Sequence, residues 1–74
     1  MNKVEQFYKL VEEDLLSKDY KVDIVKDKKT TISNESMKKP FIFPHHIVEE
    51  FLSFDAVTPQ IAYEALVIDF LQHH

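Results

Sequence analysis

The run His45-His46-Ile47-Val48-Glu49-Glu50 has the most chemical reach in this sequence. Imidazole and carboxylate are ordinary ligands of divalent metals. On a helix, His45 with Glu49, and His46 with Glu50, fall one turn apart. Only one of these pairs can face a given point, whereas zinc takes three or four ligands, and the His-Glu-x-x-His order of zinc proteases is absent. The run is therefore expected at an exposed helix start with its glutamates in solvent, and neither a metal nor another cofactor is expected. The competing reading is a metal-dependent enzyme built on His45 and His46. Ser17, Ser33, Ser36 and Ser53 lie in no nucleophile elbow. Adjacent acids such as Glu12-Glu13 and Glu49-Glu50 are expected to be wet, whereas acid catalysis needs a desolvated carboxyl. The chain has no cysteine, which removes thiolate ligands and redox motifs, and no glycine, which removes phosphate-cradling loops. All nine basic residues are Lys, so the Arg fork that reads guanine or clamps phosphate is missing too. Catalysis is not expected.

The elements that must position these residues follow from periodicity. Asn2 and Glu5 have capping-box spacing, and Val4, Phe7, Tyr8, Val11, Leu15 and Leu16 recur at helical intervals, predicting a helix over 2–17. From Tyr20 the period becomes two, with Tyr20, Val22 and Ile24 on one face. A polar turn at Asp27-Lys28-Lys29 and the β-branched run Thr30-Thr31-Ile32 complete a hairpin. Phe41-Ile42-Phe43, held between Pro40 and Pro44, is expected to be extended, because each proline keeps the residue before it out of the helical region. Pro44 suits the first position of a second helix running to about Phe54. Thr58-Pro59 starts a third that reaches about Gln72. The expected fold is α+β, one domain over 1–74, with an N-terminal helix, a small β-hairpin and two C-terminal helices. The start has no leader-like apolar run and no segment is long enough to span a bilayer, so a cytoplasmic protein is expected. His73-His74 is given no role.

Charge is unevenly placed. Residues 1–17 carry two Lys against four acids, residues 18–39 seven Lys against four acids, and residues 40–74 five acids with no Lys. That pattern favours a partner with a basic surface over nucleic acid. The expected contact residues are Glu12, Glu13, Asp14, Glu49, Glu50, Asp55, Glu64 and Asp69. Glu12, Glu13 and Asp14 stand in the last turns of their helix, where the macrodipole disfavours anions, so local stability does not account for them.

The third helix is apolar nearly all round. On a wheel of about 100° per residue, Ala62, Tyr63, Leu66, Val67 and Phe70 share a core-facing arc, while Ile61, Ala65 and Ile68 point elsewhere. A chain of 74 residues has few ways to cover that second patch from within. A homodimer through Ile61, Ala65 and Ile68 is expected.

The length, the Lys-only basic set, the Ile-, Lys-, Asp- and Phe-rich composition and the acidic helical end resemble small host-takeover proteins of phages infecting low-GC Gram-positive bacteria. Within that group the chain resembles phage-encoded inhibitors of the bacterial DNA sliding clamp. Clamp-binding peptides typically show a Gln, an aliphatic residue and a terminal aromatic pair; the nearest segment, Glu50-Phe51-Leu52-Ser53-Phe54, lacks the Gln. The resemblance thus implies a different route, an acidic surface occupying the basic channel through which the clamp takes DNA. The alternative is a small dimeric bacterial regulatory module that binds nucleic acid through the Lys-rich hairpin with Lys21, Lys26, Lys28 and Lys29.

Overall fold

A computed structural model describes residues 2–73; Met1 and His74, the latter half of the terminal His pair, lie outside the described residues. Helix α1 is Lys3–Ser17. Its N-cap is Asn2, whose side chain accepts the Glu5 N–H at 2.8 Å. Phe7, Val11 and Leu15 recur every four residues and are buried, so one stripe of α1 drives its packing. The helix ends in a left-handed residue, as helices commonly do, but with Asp19 (φ 66°) where a glycine is usual. The Asp19 N–H donates to the Leu16 carbonyl and the Tyr20 N–H to that of Leu15, closing a Schellman motif.

The chain then turns back along α1 as β1 (Lys21–Val25) and β2 (Lys29–Ser33). Between them Asp27 is again left-handed at φ 61°, and the Lys28 N–H donates to the Val25 carbonyl. A loop held by an Asn34 side chain that accepts from Ser36 leads to β3 (Phe41–Pro44). The sheet is antiparallel in the order β1-β2-β3, with Val22 opposite Ile32, Ile24 opposite Thr30, and Thr30 opposite Phe43. The extended Phe41-Ile42-Phe43 segment is therefore a third strand, and the expected two-stranded ribbon is corrected to three. Its side chains alternate, with Phe43 buried and Ile42 exposed.

Helix α2 is His45–Leu52 and stops before the predicted Phe54. Pro44 is its extended N-cap (ψ 150°) and the last residue of β3, not the first helical residue. The C-terminal helix starts at the Thr58 cap, whose hydroxyl accepts the Ile61 N–H at 3.2 Å. It runs as α3 (Pro59–Tyr63), a π-helical turn (Glu64–Ile68) and α4 (Asp69–Gln72), with helical backbone through both junctions. A π turn bonds to the fifth residue rather than the fourth, which inserts about one residue and rotates the rest of the helix by about 100°. The wheel reading of Phe70 is corrected accordingly: it is 57% exposed rather than in the core.

The core lies between the sheet and the helices: Phe7, Val11 and Leu15 of α1 meet Ile32 and Phe43 of the sheet, Val48 and Leu52 of α2, and Ala62, Tyr63 and Val67 of the C-terminal helix. Phe7 stands edge-on to Phe43 with centroids 6.1 Å apart. Among the described residues no helix is long and apolar enough to cross a membrane.

Candidate functional site

Of the two histidines, α2 turns His45 inward and leaves His46 exposed. His45 Nδ1 lies 2.9 Å from the Tyr8 hydroxyl, and its ring stacks on Tyr8 at a centroid distance of 5.7 Å. Its Nε2 is 3.2 Å from Glu49 Oε1 and 3.6 Å from Asp27 Oδ1. With Nε2–H donating to the Glu49 carboxylate, Nδ1 is left to accept the Tyr8 O–H, and each group is satisfied. The expectation of a solvated His45 is thus corrected, since its side chain is only 13% exposed while Glu49 is 62% exposed. Burial raises the Tyr8 phenol above its ordinary pKa, the carboxylates of Glu49 and Asp27 adding to the effect and the neighbouring Thr30 hydroxyl opposing it. Thr30 is itself buried, and its hydroxyl reaches no partner with full hydrogen-bond geometry. Among the described residues no three or more of His, Asp and Glu are arranged to hold a metal ion.

This cluster is one end of a groove of about 570 Å³ between α1 and β1, lined among others by Glu5, Tyr8 and Glu12 of α1, Ile24 of β1 and Lys26 of the turn. Of the eight acids proposed for partner contact, Glu12 and Glu49 meet here. Asp14 and Glu64 meet instead on the seam between α1 and the C-terminal helix, with Glu13 beside them. Glu50, Asp55 and Asp69 are exposed and join neither group.

Asp14 has a structural partner the sequence did not suggest. It accepts the Tyr63 O–H at 2.5 Å and the Lys18 ammonium at 3.0 Å. Those contacts, the Tyr63 bond first, hold the Asp14 carboxyl below its ordinary range, while burial and the Asp14 charge push the Tyr63 phenol up. An anion near the end of α1 is thereby explained, because it anchors α1 to the C-terminal helix. Glu13 makes only an exposed 4.0 Å approach to Lys9, which contributes little.

Of the residues proposed for a dimer contact, Ile61 is 46% exposed, Ala65 is exposed and Ile68 is half-buried against the core. Phe70 stacks on Phe41 with centroids 4.9 Å apart, joining α4 to β3 in a partly exposed aromatic pair. Lys21, Lys26, Lys28 and Lys29 are all exposed. Lys21 and Lys29 alternate with the inward residues and so stand on the sheet face away from α1. Sequence reasoning missed the pairs Tyr8–His45 and Asp14–Tyr63, whose partners are separated by 37 and 49 residues. No local signal marks either pair. Comparison with known proteins finds no matching family model, no matching curated protein and no matching solved structure.

Proposed function

We propose that this chain is a non-catalytic inhibitor that acts by binding a protein with a basic surface, of the kind phages direct at the bacterial DNA sliding clamp to block replication in the host cytoplasm. The observation that carries this reading is the separation of charge by layer. Residues 3–17 and 45–72, which supply the helices, hold nine acids against two Lys, whereas residues 18–44, which supply the sheet, hold seven Lys against four acids. All eight of Glu12, Glu13, Asp14, Glu49, Glu50, Asp55, Glu64 and Asp69 belong to the helical layer, and all but Asp14 are exposed. Exposed Leu16 and Phe54 lie on the same layer and supply apolar contact within the acidic field. Such a field accelerates encounter with a basic channel and is screened by salt.

Calorimetry with a purified clamp from a low-GC Gram-positive bacterium tests the proposal. Binding at about 50 mM salt, weakened by Glu12→Lys or Glu64→Lys and by raising salt to about 500 mM, is the expected result. Absence of clamp binding, together with a gel shift of random-sequence DNA lost on Lys28→Glu, would transfer the function to the Lys-rich hairpin.

A further inference from the structure

The two edges of the sheet are built differently, and the difference follows from hydrogen-bond phase. The His45 N–H donates to the Lys28 carbonyl at 2.9 Å, continuing a ladder in which Phe43 faces Thr30 and Phe41 faces Ile32. Hydrogen-bonded pairs alternate along an antiparallel ladder. Phe41, Phe43 and His45 therefore aim their backbone groups at β2, and Pro40, Ile42 and Pro44 aim theirs outward. Proline has no N–H, so the outer edge of β3 offers the Ile42 donor alone. On β2, Thr30 and Ile32 serve β3, which leaves Lys29, Thr31 and Ser33 to bond Val25, Asp23 and Lys21. Val22 and Ile24 then turn both N–H and C=O away from the sheet, with no strand beyond them among the described residues. Their two-residue spacing is the repeat that another strand needs, and no proline interrupts it.

We propose that β1 accepts an extended, lysine- or arginine-bearing peptide segment as a fourth strand, seated in the groove between β1 and α1. The proposal deepens the reading above and rests on it, in that the partner is basic. Successive side chains of an added strand point to opposite faces. Those on the α1 side meet Glu5, Glu12 and the Tyr8 ring, with Glu49 beyond, and those on the other side meet Lys21, Asp23 and Val25 on the open face of the sheet. Four acids line the groove, Glu5, Glu12, Asp27 and Glu49, against the two cations Lys9 and Lys26. Main-chain bonds supply affinity in such strand addition, and the flanking side chains supply selectivity. A second copy of this chain suits the place poorly, because it would bring the same acids against their own kind.

Amide hydrogen exchange followed by NMR on the whole chain tests this, with a peptide of about eight residues alternating Lys and Val. In the free protein the Val22 and Ile24 amides should exchange fast while Asp23 and Val25 are protected. Saturating peptide should slow Val22 and Ile24 at least about tenfold, and Glu12→Lys should weaken the peptide about tenfold. A peptide N-methylated at every residue keeps the charge but has no N–H donor on either edge and cannot approach β1 as a strand, so it should not protect them. Binding without protection of Val22 and Ile24 overturns the fourth strand and leaves the acidic-surface reading standing. Protection of both amides in the free protein, through self-association, overturns it as well. Failure of the peptide to bind overturns this site alone, since clamp calorimetry reads the function separately.

Discussion

At the scale of single residues, two polar contacts bind distant parts of the chain. The carboxylate of Asp14, shifted down by Tyr63 and Lys18, favours the folded state above the ordinary Asp value of 3.8, and that contribution is lost as pH falls below it. Tyr63 is shifted the other way, so its contribution is present below the ordinary tyrosine value of 10.0 and is lost as pH rises above it. Tyr63→Phe is expected to cost about 1 kcal/mol near neutral pH, below the roughly 1.5 to 3 kcal/mol usual for a charged hydrogen bond because the Asp14 side chain is 35% exposed. Urea titrations across pH should show both limbs flattened in the variant. The two histidines are expected to separate cleanly: His45→Ala removes a buried stacked ring and leaves Tyr8 without its partner, costing about 1 to 3 kcal/mol, whereas His46→Ala stays within about 0.5 kcal/mol. Thermal melts of the two variants side by side would check this.

At the scale of elements, a chain without glycine fills both left-handed positions among its described residues with aspartate, Asp19 after α1 and Asp27 in the hairpin turn. Left-handed backbone costs an L-residue roughly 1 to 2 kcal/mol, less for Asp than for most, and glycine is free of that strain. Asp19→Gly is expected to stabilise by about 0.5 to 1 kcal/mol after the added freedom of the unfolded chain is deducted, a shift a urea midpoint would register. The α+β order was legible because α1 and the hairpin have long, consistent periods and because Asn2 and Thr58 mark helix starts. The third strand was not fully legible, since Phe41-Ile42-Phe43 is short and its flanking prolines read as punctuation. Those prolines occupy the outward phase of β3, where they remove no ladder bond. The π turn escaped a wheel drawn at constant pitch, which is why Phe70 was misplaced. Of the candidate site, the acids were visible as charge, but their division between a groove and a seam depends on α1 packing against both β1 and the C-terminal helix.

At the scale of the whole molecule, the patch at Ile61, Ala65 and Ile68 is the place where a second copy is expected to pack. Light scattering at micromolar concentration should give about twice 8.8 kDa, returning toward 8.8 kDa for Ile61→Glu, whose side chain is exposed enough for the fold to tolerate the change. A mass of 8.8 kDa for the unaltered chain would discard the dimer. The prolines around β3 matter for a different property, the colloidal life of the protein. Phe41-Ile42-Phe43 is an uncharged, aromatic, β-prone triplet on an outer strand, the type of segment from which cross-β fibrils grow by stacking identical strands. Pro40 and Pro44 deny a growing stack two donors, one on each side of Ile42, so they serve as gatekeepers. Replacing both with Ala should leave the ladder to β2 intact yet shorten the lag before thioflavin-positive fibrils form in concentrated solution, and an unchanged lag would show that the gate lies elsewhere. Persistence in concentrated solution would then rest on two residues that lie outside the groove.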